Sequence, residues 1–298
     1  MLIGAHVSAA GGLQKTVERA CGIGAEAMQI FASSPRAWAF TPPDDEAVAA
    51  FKRASRTRML GPTLLHGIYL LALGSPDRTL YERSVESLAA HLQTACRLDA
   101  LGVVFHPGSH RGAGLSAVLR QFAGGMRRIL EEAPGDAPLI LENSAGAGDS
   151  IGSSFRDLAV IIEEVGSDRV GVCLDTQHAW AAGYDLSTAQ GVDRMLKDVD
   201  GSVGLERLAA VHANDSARPL GSGIDRHENI GEGHMGVRSF ACLMAAPELA
   251  GVPFYLEVPG FKGKGPDRQN VRRLKQLRSR FPVSRELNRQ GSERATTP

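Results

Sequence analysis

Residues 170–178 read VGVCLDTQH. An unbroken apolar run closes on Asp175, and His178 follows three positions later. A run without polar alternation fits a parallel strand covered on both faces, not a strand with one wet face. A carboxylate at the end of such a strand is costly to bury unless something neutralises it. The same pattern recurs along the chain. TLLHG closes on His66, VVFHPGSH on His106, LILENSAG on Glu142, AAVHAND on His212 and FYLEVPG on Glu257. Strands are expected at 2–7, 27–31, 63–66, 103–106, 139–142, 170–175, 209–213 and 254–257. Amphipathic helices are expected at 13–21, 44–56, 80–98, 115–132, 154–165, 188–197, 237–245 and 267–280. Pro42 to Asp45, and Ser154 with Asp157, supply helix-start signals.

Eight strand–helix units in one order predict an α/β fold, a (β/α)8 TIM barrel forming a single domain over residues 1–284. The C-terminal ends of its strands would face the active site, which is where these side chains fall. An open doubly wound sheet is the alternative, but it gathers its site at one or two switch-point loops. The tail 285–298 is polar, basic and rich in small residues, and is expected to be disordered.

The chain has 298 residues, 33 basic and 33 acidic, and a formal net charge of zero. That balance excludes a wholly basic nucleic-acid binder but allows a local basic surface. Residues 262–280 are such a stretch, with Asp267 as their lone acid; a solvated last helix explains it equally well. No apolar run is long enough to cross a bilayer, and the N-terminus lacks a signal-peptide pattern. Cys21, Cys96, Cys173 and Cys242 are far apart, as expected of reduced thiols in a cytoplasmic protein.

Nine histidines are present. His91 falls inside the long third helix and reads as packing. His6, His66, His106 and His212 fall at strand ends. Three carboxylates, Glu142, Asp175 and Glu257, close strands there too. Each could pair with a buried Arg or Lys, but their convergence with histidines favours cations. Asp225 and His227 lie in GSGIDRHENIGEG, a loop without strand or helix periodicity, which favours a functional role. Mixed imidazole and carboxylate ligation suits zinc, manganese or iron(II). Four carboxylates and three divalent ions would leave about +2 at the mouth, attractive to a phosphodiester.

GAHVSAAGG, QIFASSPRAW, FHPGSH, LENSAG, CLDTQHAWAAGYD, HANDS and DRHENIGEGHMG together closely resemble bacterial endonuclease IV, a zinc-dependent apurinic/apyrimidinic endonuclease family built on a (β/α)8 barrel. The resemblance runs from about Leu2 to Phe281. It implies three zinc ions per chain, with manganese as an alternative at some positions. His66 and His106 would hold one ion, with Glu142 bridging to a second that Asp175, His212 and Glu257 complete. His178, Asp225 and His227 would hold the third. It further implies double-stranded DNA as partner. The chain would cut 5′ to an abasic site, leave a 3′-hydroxyl, and trim blocked 3′ ends, with Glu142 as the catalytic group. Arg36, Tyr69 and Leu70 match the family's damage-reading positions, and Arg226 is expected to steer the backbone phosphate. The chain departs from the family pattern at IYLLALGSPD, SSPR, LENSAG, HAND and LEVPG, and none of these removes a ligand.

Two other functions fit parts of the pattern. A one-metal sugar isomerase or epimerase on the related barrel needs only Glu142, Asp175, His212 and Glu257. A non-catalytic damage binder needs no full ligand set. The extra residues His66, His106, His178, Asp225 and His227 favour the nuclease. A monomer without membrane attachment is expected.

Overall fold

The computed structural model describes residues 1–281; the expected domain boundary at 284 and the tail 285–298 lie outside the described residues. Along the chain run β1 (Ile3–His6), α1 (Leu13–Ile23), β2 (Ala27–Phe31), α2 (Asp45–Thr57), β3 (Thr63–His66), α3 (Arg78–Leu98), β4 (Val103–Phe105), α4 (Leu115–Glu132), β5 (Leu139–Glu142), α5 (Phe155–Val165) and β6 (Val170–Asp175). Then follow α6 (Thr176–Ala181), α7 (Ala189–Ser202), β7 (Leu208–His212), β8 (Asp215–Ser216), β9 (His227–Glu228), α8 (Gly236–Ala245), β10 (Phe254–Leu256) and α9 (Arg268–Arg280).

Eight of the strands close into a parallel barrel in the order β1-β10-β7-β6-β5-β4-β3-β2. This is the TIM barrel that the alternating pattern predicts. The helices start where side chains can satisfy the free N–H groups of a first turn. Asp44, Ser154, Thr188 and Asp267 act as N-caps just outside their helices. The third helix begins at Arg78, two residues earlier than the apolar periodicity indicates, because the Asp77 carboxylate accepts from the N–H groups of Thr79 and Leu80. Two features were not anticipated. Asp175 caps the short helix α6, accepting from His178 N–H. The loop expected to lack regular structure contains β9, which pairs antiparallel with β8.

The barrel interior is plugged by Ala27, Leu64, Val104, Ile140, Cys173, Ala210 and Tyr255. Their neighbours in sequence, such as Val103, Phe105, Leu139 and Leu141, face outward into the main core against the helices. Tyr255 crosses to the β1 wall, where a Cβ on Gly4 would lie 2.7 Å from its Cδ1, so that position requires glycine. The Tyr255 hydroxyl donates to Pro62 O at 3.0 Å.

Alternate residues of a strand share a face. Two residues beyond each plug residue, the inward face therefore presents Gln29, His66, His106, Glu142, Asp175, His212 and Glu257. The apolar plug is the floor of a polar tier.

The barrel's seam is held from outside by Glu26. Its carboxylate accepts from Ile3 N–H at 2.8 Å and from both terminal nitrogens of Arg278 at 2.6 and 2.9 Å, with Lys275 Nζ 3.2 Å away. Burial alone would raise its pKa, but Arg278, the Ile3 N–H and Lys275 together lower it to about 2. Because the folded-state pKa is depressed, this contribution is complete above the unfolded value near 4.5 and is lost as pH falls through about 2. Allowing for screening of a 27 % exposed side chain, Glu26→Gln should cost about 1–2 kcal/mol at pH 7. Denaturant titrations of both proteins at pH 7, 4 and 2.5 should show that gap closing as pH falls.

Candidate metal centre

The polar tier brings most of the sequence-predicted ligands together. His66 Nε2 and His106 Nε2 lie 3.5 and 3.2 Å from Glu142 Oε2. His212 Nδ1 lies 2.9 Å from Glu142 Oε1 and 3.4 Å from Glu257 Oε2. Three groups of potential ligand atoms result: His66, His106 and Glu142; Glu142, Asp175, His212 and Glu257; and Asp175, His178 and His227. Glu142 belongs to the first two and Asp175 to the last two. Asp225, 51 % exposed, stands over the third group, 3.3 Å from His178 Nε2 and 3.4 Å from His227 Nε2.

Local structure explains how residues distant in sequence converge. The turn of α6 after its Asp175 cap swings His178 back over the barrel mouth. The β8–β9 pairing, with Ser216 opposite His227, returns the long loop so that His227 and Asp225 face the strand ends. That loop is organised by Asp215, whose buried carboxylate accepts from the N–H groups of Ser216, Gly231, Gly233, Met235 and Gly236.

Three of the imidazoles turn one nitrogen outward and one inward. His66 Nδ1 donates to Gly67 O at 2.7 Å, and His178 Nδ1 donates to Asn143 O at 2.8 Å. His212 Nε2 donates to Gln29 Oε1 at 2.7 Å, leaving Nδ1 inward. Such outward hydrogen bonds orient metal-ligating histidines. Glu142 Oε2, His178 Nε2 and His227 Nε2 are buried without a hydrogen-bond partner. Atoms that crowd within 3.2–3.7 Å of opposite charge without hydrogen-bond geometry are aimed at shared points between them.

Charge points the same way. Among the described residues, Glu142, Asp175 and Glu257 form no ion pair with Lys or Arg; their charged neighbours are histidines. Burial would raise the Glu142 pKa, yet His212 and His106 hold it well below the carboxylate range. Burial would lower the His178 pKa, yet Asp175, Asp225 and Glu142 push it up to about 10. The site therefore demands positive charge, and divalent cations would supply it by displacing protons from these imidazoles. The donor set fits zinc or manganese.

Beside this centre opens a cleft of about 1060 Å³ lined by Arg36, Tyr69, His227 and Glu257 among others. Tyr69 is 57 % exposed and meets Phe31 edge-on at 5.3 Å. Burial of the rest of its ring and the carboxylates of Glu257, Glu142 and Asp225 push its pKa up to about 12, so the phenol keeps its proton. Arg226 is exposed on the loop leading into β9. Leu70 packs half-buried against the core and is not among the cleft's lining residues. His91 is buried in α3, apart from the centre.

Sequence reasoning did not single out the supporting amides. Asn143 brackets Asp175, accepting from its N–H at 2.7 Å and donating to its carbonyl at 3.2 Å. Asn214 donates to Asp175 Oδ2 at 2.7 Å and accepts from Glu257 N–H at 2.8 Å. Gln29 bonds His212 and, at 2.5 Å, Glu257 Oε1. His6 joins this layer, with Nδ1 3.1 Å from Glu257 Oε1. A polar residue within the apolar run AMQIF, and amides following LILE and AAVH, were the available signals, since buried polar groups require partners.

Fold and site together define a TIM-barrel enzyme of the xylose isomerase-like class, whose family model matches residues 17–279. A probable endonuclease 4 from Halothermothrix orenii is 40% identical over 276 residues, 92% of this chain and 99% of the relative. The crystal structure of endonuclease IV from Thermus thermophilus superposes with a TM-score of 0.83 at 35% identity, covering 94% of this chain and 100% of that one. A D-tagatose 3-epimerase-like protein shares the fold alone, with a TM-score of 0.70 at 19% identity over 94% and 97% of the two chains. The chain belongs to the endonuclease IV family, and it is a metal-dependent nuclease.

Gln29→Leu keeps the side chain's approximate size but removes the partner of His212 Nε2. The variant's affinity for zinc, read by chelator competition, should fall about tenfold or more with the far-UV spectrum unchanged. Unaltered affinity would show that Gln29 does not orient His212.

Proposed function

We propose that this protein is a DNA-repair endonuclease that hydrolyses the phosphodiester 5′ to an abasic site in duplex DNA and leaves a 3′-hydroxyl. It works as a single-domain monomer in the cytoplasm, and it also trims blocked 3′ ends. The ligands assigned are His66, His106, Glu142, Asp175, His178, His212, Asp225, His227 and Glu257, holding three zinc ions, with manganese as a substitute. One observation carries this reading: His178 and His227 join Asp175 in a third ligand group beneath Asp225, and His178, His227 and Asp225 lie outside the four residues that a one-metal isomerase requires.

When bound, the cations supply Lewis acidity and neutralise charge developing on the phosphoryl oxygens. Glu142, wholly buried and shared by two groups, is positioned to hold the attacking water and take its proton. His212 and His106 hold that carboxylate ionised in the cation-free site, a role that bound cations would take over. Arg36 and Tyr69 line the cleft where the damaged strand would enter, and an aromatic edge there can replace stacking lost at the abasic position. Arg226, exposed before β9, would contact the flanking backbone, whereas Leu70, packed against the core, would support the loop beneath Tyr69 rather than fill the gap.

The deciding experiment is an abasic-duplex nicking assay with chelator and metal add-back, run beside elemental analysis. About three metals per chain and chelator-sensitive nicking support the reading, whereas one metal and no nicking favour the isomerase. Glu142→Gln should lower the nicking rate by about 10²–10⁴-fold while damaged-duplex binding survives; near-normal turnover would remove Glu142 from the mechanism. Tyr69→Ala should weaken abasic-duplex binding about tenfold or more at constant metal content. Parallel loss of metal would assign Tyr69 a structural role instead.

A further inference from the structure

The segment between β2 and α2, residues 32–44, carries Arg36 along the cleft and has no helix or strand of its own. Its shape must be imposed from outside, and α3 imposes it. His91, 1 % exposed on that helix, donates from Nδ1 to Ser87 O at 2.6 Å. This leaves the lone pair on Nε2, which accepts from the Ser33 hydroxyl at 3.3 Å. The same ring stacks on Phe40, with centroids 4.7 Å apart and planes at 21°. Nearby, the Arg83 guanidinium lies 4.7 Å over the Trp38 ring, and Arg97 donates to Pro43 O at 2.6 Å. Tyr69, three residues beyond β3, donates its N–H to Pro35 O at 2.9 Å.

We propose that His91 is a positioning residue for damage recognition: it grips the 32–44 segment at Ser33 and Phe40, on either side of Arg36, so that Arg36 and Tyr69 form one rigid reading surface at the rim of the cleft. The inference rests on the abasic-site reading above. An apolar side chain would fill the inner face of α3 without the cost of burying an imidazole. That cost is offset because one nitrogen secures the helix and the other addresses a segment 58 residues away in sequence. Burial lowers the His91 pKa, consistent with a neutral ring whose Nε2 is an acceptor.

The test uses metal-loaded full-length protein. Hydrogen exchange follows residues 33–41, and steady-state nicking of an abasic duplex separates KM from kcat. In His91→Ala, exchange across the segment should accelerate about tenfold. KM should rise about tenfold while kcat moves less than about twofold and metal content holds. His91→Gln, which retains a hydrogen-bonding group for Ser33, should recover part of the KM. A folded His91→Ala protein with wild-type exchange and KM, or with kcat and metal content falling together, would overturn the proposal. Should His91→Ala not fold, Ser33→Ala carries the test, and wild-type exchange and KM there overturn it equally. A wild-type protein that fails to nick the duplex sinks the functional reading; faster exchange at 33–41 in the variants then still supports the grip, and unchanged exchange refutes it.

Discussion

Side chains on a β-strand alternate between two faces, and the site depends on that period. Once Tyr255, Ile140, Cys173 and their counterparts are committed to the inside of a closed barrel, residues two positions further along must point inward as well. A shift of one residue in any strand would turn its ligand out among the helices. The apolar floor thus does two things. It seals the barrel, and it sets the inward direction of Glu142, Asp175, His212 and Glu257 above it.

Concentrating carboxylates on that floor would be untenable without compensation. Histidines answer from within the tier, and their outward nitrogens are held by Gln29 and by the backbone carbonyls of Gly67 and Asn143. Amides form the next layer, with Asn143 and Asn214 tying the β5, β6, β7 and β10 ends together through Asp175 and Glu257. For His66, His178 and His212 an inward nitrogen is thus backed by an outward hydrogen bond, which orients the ring toward the centre.

The barrel was legible in the sequence because buried parallel strands leave unbroken apolar runs, and because six of the eight runs close on a histidine or carboxylate that does not belong in a core. Boundaries were less so. Asp77 starts α3 through a capping bond that periodicity does not report. The β8–β9 pairing escaped because strands two residues long carry no measurable alternation. The sharing of Asp175 between two ligand groups was also hidden, since it follows from how α6 turns after its cap. The roles of Gln29, Asn143 and Asn214 required three-dimensional neighbours, although each stood out as a polar residue in apolar company. Leu70 and Tyr69 are adjacent in sequence, yet one packs inward and the other outward.

The hairpin of β8 and β9 differs in kind from the rest of the centre. Six ligands stand in the barrel strands or one residue beyond them, and His178 follows on the short helix α6, so that an insertion there would disturb the barrel's register. His227 and Asp225 hang on a surface connection folded around a single carboxylate, Asp215, and surface connections tolerate changes of length and composition. The scaffold thus separates the ligands fixed by the barrel from two that a replaceable connection carries. Lengthening or removing this appendage would therefore add or subtract two ligands without refolding the barrel beneath it.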